Sequence, residues 1–103
     1  MSITIANEIL AQMGGTSKLA AMTGAKNFIA IENGVRFRIG RNSAGINTVT
    51  VKLNDMDLYD IEYGRVRTVK HLPTYKVLAK SESIYNDMLK ADFEANTGMY
   101  LTF

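Results

Sequence analysis

The sequence predicts an α+β domain: short N-terminal helices, an antiparallel sheet of four to five strands, and a C-terminal helix packed on one sheet face. Three observations carry that expectation. Residues 28–39 hold two apolar-rich runs either side of Asn33–Gly34, a dipeptide suited to a tight hairpin turn. Thr48 to Leu53 alternates with period two. Both ends of the chain instead repeat apolar residues three and four apart, the spacing of one helix face. At 103 residues, the chain suits one domain spanning 1–103.

Ile5, Ile9, Leu10 and Met13 form the first helical stripe, with Thr4 as its expected cap and Gly14–Gly15 as its stop. Thr16 is then expected to cap a helical stub, Ser17 to Met22, that ends at Gly24. In the hairpin, a type I′ turn at Asn33–Gly34 pairs Glu32 with Val35 and Ala30 with Phe37. Phe28, Ala30, Val35, Phe37 and Ile39 then share the core face, while Ile29 and Ile31 lie opposite Arg38 and Arg36 on the other. Gly40 to Gly45 reads as a loop and Thr48 to Leu53 as the third strand.

After a turn at Asn54 to Asp57, Leu58 to Val69 reads as a long fourth strand. Its apolar parity changes after Gly64, which predicts a bulge there that turns Arg65 and Arg67 outward. His71, Leu72 and Pro73 break the pattern, and Tyr75 to Ala79 supplies the last strand. The last helix is expected from Glu82 to Thr97, capped by Ser81 or Ser83 and stopped at Gly98. Residues Met99 to Phe103 are apolar enough to dock on the body.

Composition excludes several chemistries. The chain has no cysteine, so it holds no disulfide, thiolate zinc site or cysteine nucleophile. That fits a reducing, cytoplasmic setting. No apolar run approaches the ~20 residues of a membrane helix, and Asn7 and Glu8 interrupt the N-terminal apolar stretch, so neither membrane nor signal segment is expected. His71 is the sole histidine, and no serine sits in a nucleophile-elbow context, so no catalytic residue is assigned. Asp55, Asp57, Asp60 and Glu62 lack the glycine and closing glutamate of a calcium loop; neither metal nor other cofactor is expected. Gly40 to Gly45 has the glycine spacing of a phosphate loop, but Ile46–Asn47 replaces its Lys-Ser/Thr pair. Arg41, Asn42 and Ser43 still offer donors for an anion.

The basic residues are the more informative set. The 12 Lys and Arg against 10 Asp and Glu leave only +2 overall. Alternation nevertheless sends Arg36, Arg38 and Lys52 away from the helices, and the Gly64 bulge adds Arg65 and Arg67 to that open face, beside Arg41. These six are the candidate binding residues. A phosphate-binding surface has this composition, and so has a solvated outer face diluted by Asp60 and Glu62.

The stretches Met22 to Phe28, Arg41 to Asn47, Asp57 to Asp60, Arg65 to Arg67 and Thr97 to Tyr100 together resemble a family of small proteins found in phages, prophages and plasmids. The likeness spans nearly the whole chain, and the passage Lys70 to Tyr75 departs from it by being longer and more turn-like. The resemblance transfers no functional residue. It implies an accessory protein that binds a host or defence component stoichiometrically, as an anti-defence inhibitor of a CRISPR effector would. The alternative is binding of nucleic acid or a nucleotide through the basic face. A homo-oligomer through that same face stays open.

Overall fold

The computed structural model describes residues 3–99, and it is α+β. Helices α1 (Ile3–Gln12) and α2 (Thr16–Thr23) precede five strands, β1 (Lys26–Ile31), β2 (Gly34–Arg38), β3 (Thr48–Leu53), β4 (Tyr59–Val69) and β5 (Leu72–Ile84). A 3-10 turn over Asn86–Met88 leads into α3 (Leu89–Thr97). The strands form one antiparallel sheet in sequence order, β1-β2-β3-β4-β5.

Of the expected first helical stripe, Ile9, Leu10 and Met13 are buried and Ile5 partly so, and Ala6 is buried beside them. They meet Val35, Phe37, Val49, Val51, Ile61 and Tyr63 in one core cluster, to which α3 adds Leu89 and Phe93. The Tyr63 and Phe93 rings lie 6.4 Å apart, and the Tyr63 hydroxyl donates to Asp92 Oδ2 at 2.6 Å. Helix caps differ from expectation. Thr4 lies inside α1, and Thr16 is the first helical residue of α2, after Gly15.

The first hairpin turns one residue earlier than Asn33–Gly34. Ile31 pairs with Gly34 and Ala30 with Val35, so Glu32 and Asn33 form the loop. Asn33 alone of the two takes a left-handed φ, 58°. Gly34 is instead a strand residue opposite Lys52, where a Cβ would run into the Val51 carbonyl oxygen and come within 2.9 Å of Lys52 Cα. Glycine serves close backbone approach here, and the extra rung it permits draws the turn back. Moving the turn by one residue moves each pair by two, so every residue keeps its face.

A type I′ geometry exists elsewhere. Lys70 and His71 both have positive φ, 51° and 68°, between the paired residues Val69 and Leu72. The passage read as a break is therefore a hairpin turn, and β5 runs unbroken from Leu72 to Ile84. This overturns the expected helix start at Glu82. Ser83 takes φ 55° and donates its N–H to Asp60 Oδ1 at 3.0 Å, while Ile84 pairs with Tyr59. Ladder and side-chain hydrogen bonds outweigh the helical spacing there, and α3 begins only at Leu89. Tyr85 and Met88, inside the expected helix, are 62% and 52% exposed. Of the expected C-terminal docking segment, Met99 packs partly against the core; residues 100–103 lie outside those described.

The bulge is near Gly64 but in the other strand. Tyr63 pairs with Ala79 and Gly64 with Val77, so Leu78 is the extra residue, and β4 keeps its alternation. β5 carries a second irregularity where Tyr59 meets Ile84 and Ile61 meets Ser81. The change of apolar parity along β4 has another cause: Val66 faces the side opposite Tyr63, opposite Tyr75 of β5.

Two substitutions test these assignments by thermal melting. Gly34→Ala is expected to destabilise by about 1–3 kcal/mol, the usual cost of forcing atoms into filled space. His71→Gly is expected to stabilise by up to about 1 kcal/mol, because glycine removes the left-handed strain of a residue that carries a Cβ. A lowered melting temperature for His71→Gly contradicts the turn assignment.

Candidate functional site

The registers lay out the sheet face opposite the core as a grid. One row runs Ile29, Arg36, Thr50, Glu62, Lys80 across all five strands. The next carries Arg38, Thr48, Gly64 and Val77, and the row on the other side Gly34, Lys52 and Asp60. Arg36, Arg38 and Lys52 therefore share this outer face, as alternation predicts. Asp60 and Glu62 stand among them. Thr48 and Thr50 are buried although they belong to the outer phase, so part of this face is covered.

Tyr75 covers part of this face. Its ring lies over Gly64, where a Cβ would strike it, and its hydroxyl donates to Glu62 Oε1 at 2.7 Å. An aromatic ring closing over a cross-strand glycine shields the bare backbone. Arg36 Nε donates to Thr50 Oγ1 at 3.1 Å on the same row. Burial first, then the hydrogen bond to Glu62 and its negative charge, push the Tyr75 phenol up to about 12, with Arg36 opposing. Tyr63 in the core is raised further, by burial first and then by Asp92.

Beside this network lies a groove of about 630 Å³. Its walls include Ile29, Phe28, Val66 and Tyr75, and its polar lining includes Arg36, Arg38 and Asn27. Ile29 is 55% and Tyr75 40% exposed. Such a surface offers apolar contact area with two guanidinium forks at its edge, a combination that takes carboxylates or phosphates.

Arg65 and Arg67 do not join it. Because β4 has no bulge of its own, Gly64 faces outward with Thr48, and Arg65 and Arg67 follow Ile61 and Tyr63 to the opposite side. Arg65 Nη1 donates to the Gly45 carbonyl at 3.4 Å, and with Arg41 it lines a recess of about 210 Å³ beside the glycine loop. The six candidate cations thus divide: Arg36, Arg38 and Lys52 on the outer face, Arg41, Arg65 and Arg67 away from it.

Within the glycine loop, Asn42 is used internally. Its Nδ2 donates to the Gly40 carbonyl at 3.0 Å and the Ile46 carbonyl at 2.5 Å, and its Oδ1 accepts the Ile46 N–H at 3.2 Å. Asn42 therefore organises the loop and is not a spare anion donor; Arg41 and Ser43 are exposed. Asp60 is likewise occupied, accepting from Asn54 Nδ2 and the Ser83 N–H. Among the described residues, no three Asp, Glu or His side chains group as metal ligands do. No helix among them is long and apolar enough to cross a membrane.

Sequence reasoning missed Tyr75, Val66 and Val77 on the outer face. Only the Leu78 bulge sets β5's phase opposite Gly64. Comparison with protein-family models, curated proteins and solved structures finds no match to this chain.

The Tyr75–Glu62 contact has a pH signature. A folded-state phenol raised above its unfolded value of about 10 stabilises fully below pH 10, and that contribution is lost as pH rises through about 12. Absorbance titration is expected to show Tyr75 ionising near the top of that window, and Glu62→Gln to lower its midpoint. An unchanged midpoint in Glu62→Gln contradicts the contact.

Proposed function

We propose that this protein is a non-enzymatic binding protein that acts by stoichiometric contact with a host or defence protein in the cytoplasm, through its outer sheet face. The observation that carries the reading is the groove edged by Arg36 and Arg38, with exposed Ile29 and Tyr75 in its wall. Tyrosine and arginine around a partly apolar depression are the residue types that concentrate binding energy at protein interfaces. Val77, 46% exposed in the neighbouring row, extends the apolar area towards β5. The likeness to small phage, prophage and plasmid proteins supplies the class of partner, an anti-defence target included.

The second reading, nucleic-acid or nucleotide binding, draws its support from the cations that lie away from this face. Salt separates the two, since phosphate contacts make affinity fall steeply with ionic strength.

The test is capture from host lysate by tagged protein, read by mass spectrometry, with Arg36→Ser/Arg38→Ser beside the parent chain. The double variant is expected to keep its fold within about 0.5–1 kcal/mol, one partly buried hydrogen bond being lost. Its captured partner is expected to be lost. Retention of the same partner at the same salt overturns the outer-face reading.

A further inference from the structure

The cations of the fourth and fifth strands occupy a different structure from the outer face. The last residue of β4 paired with β3 is Gly64, opposite Thr48. Beyond it, β4 and β5 continue together for five more pairs, from Arg65 opposite Lys76 to Val69 opposite Leu72, closed by the Lys70–His71 turn. One side chain anchors the root of this ribbon. Asn47 donates from Nδ2 to the Val66 carbonyl at 2.8 Å and accepts the Val66 N–H on Oδ1 at 2.8 Å. Its amide thus stands in for one more strand residue, and from Arg67 onward the ribbon has no third strand. Five residues at ~3.4 Å each make a projection of roughly 17 Å.

Its charge is one-sided. Residues 65–76 contain Arg65, Arg67, Lys70 and Lys76 and no Asp or Glu. Removing those 4 from the chain's 12 basic residues leaves 8 against 10 acidic ones, so the remainder is net negative. The chain's excess of positive charge is therefore concentrated on this one projection. Arg65 and Lys76 stand directly opposite each other, an arrangement that costs stability in a strand pair. Among the described residues neither forms an ion pair, whereas further along β5 Lys80 pairs with Glu82. All four cations are exposed, and Arg41 adds a fifth beside Arg65 at the root.

We propose that the β4–β5 ribbon, residues 65–76 with Arg41, binds the phosphate backbone of double-stranded DNA. Charge complementarity selects a polyanion, because an unneutralised row of cations gains most from displacing condensed counterions. Shape selects the duplex: a two-stranded ribbon fits a major groove about 12 Å wide. The inference does not rest on the outer-face groove, which lies on the opposite side of β4 from Arg65 and Arg67.

The experiment titrates the whole chain into a fluorescently labelled duplex DNA of arbitrary sequence and reads anisotropy across a salt series. The parent chain is expected to bind at low salt, with log affinity falling against log salt at a slope of about −3.5 to −4.5, some 0.9 for each of four to five phosphates contacted. Arg67→Ser/Lys76→Ser is expected to reduce that slope by nearly 2 and to weaken low-salt binding at least tenfold, by counterion release. Neither side chain makes a hydrogen bond to a described residue, so its thermal melt is expected to match the parent's. Arg36→Ser/Arg38→Ser is expected to bind duplex as the parent does. The proposal is overturned by absence of duplex binding at low salt, by an unaltered slope in the ribbon variant, or by tighter binding to single strands of the same sequence. It is also overturned if the melt-matched ribbon variant loses only a protein partner captured from lysate. Failure of the outer-face reading is seen separately, in partner capture by Arg36→Ser/Arg38→Ser.

Discussion

The unbroken alternation of β4 organises this molecule. Tyr59, Ile61 and Tyr63 enter the core from one side, where Tyr63 meets Phe93 and Asp92 of α3. Asp60, Glu62, Gly64 and Val66 face the other side in register with β3 and β5. A strand that supplies both faces of a sheet cannot slip by one residue without exchanging them all. The irregularities fall instead on the edge strands, two on β5 and one on β1 between Lys26 and Ile29, where extra residues are accommodated at low cost. Those same bulges bend an edge that would otherwise offer a long straight template for pairing.

From that choice follows the separation of charges. On the outer face, Arg36, Arg38, Lys52 and Lys80 are interleaved with Asp60 and Glu62, and Tyr75 closes over Gly64 to reach Glu62. The result is a mixed surface with a groove. Past Gly64, β4 outlasts β3, and its core-phase positions no longer have a core to fill. Arginines occupy them. Two asparagines fix the junction: Asn42 ties the glycine loop together, and Asn47 hands the ladder on to Val66 through its side chain. An amide that presents donor and acceptor side by side is suited to that substitution.

Helix α1, the β1–β2 hairpin and β3 were legible because their signals are local and agree with the tertiary arrangement. Even the displaced turn at Glu32–Asn33 left the faces of Ile29, Arg36 and Phe37 where alternation put them. The region after Gly64 was not legible for a related reason. Period-two reasoning took Val66 as evidence of a slipped phase, when it is an outward residue covered by Tyr75 across the strand pair. The stretch Glu82 to Met88 has helical spacing, yet Asp60 and Tyr59, more than twenty positions earlier, hold its first residues, through Ile84, in a strand. Long-range hydrogen bonds of that kind leave no trace in a local window.

By itself, the sequence determined the α+β class, the core phase of the central strands and the outward position of Arg36, Arg38 and Lys52, because each follows from side-chain period within one element. The tertiary structure decided that the Leu78 bulge belongs to β5, that Lys70–His71 is the type I′ turn, and that Arg65 and Arg67 leave the outer face for a projecting ribbon. These depend on which of two paired strands absorbs an extra residue and on where a neighbouring strand stops. Both are properties of the pair, set by the relative energies of whole ladders rather than by the residues of either strand alone.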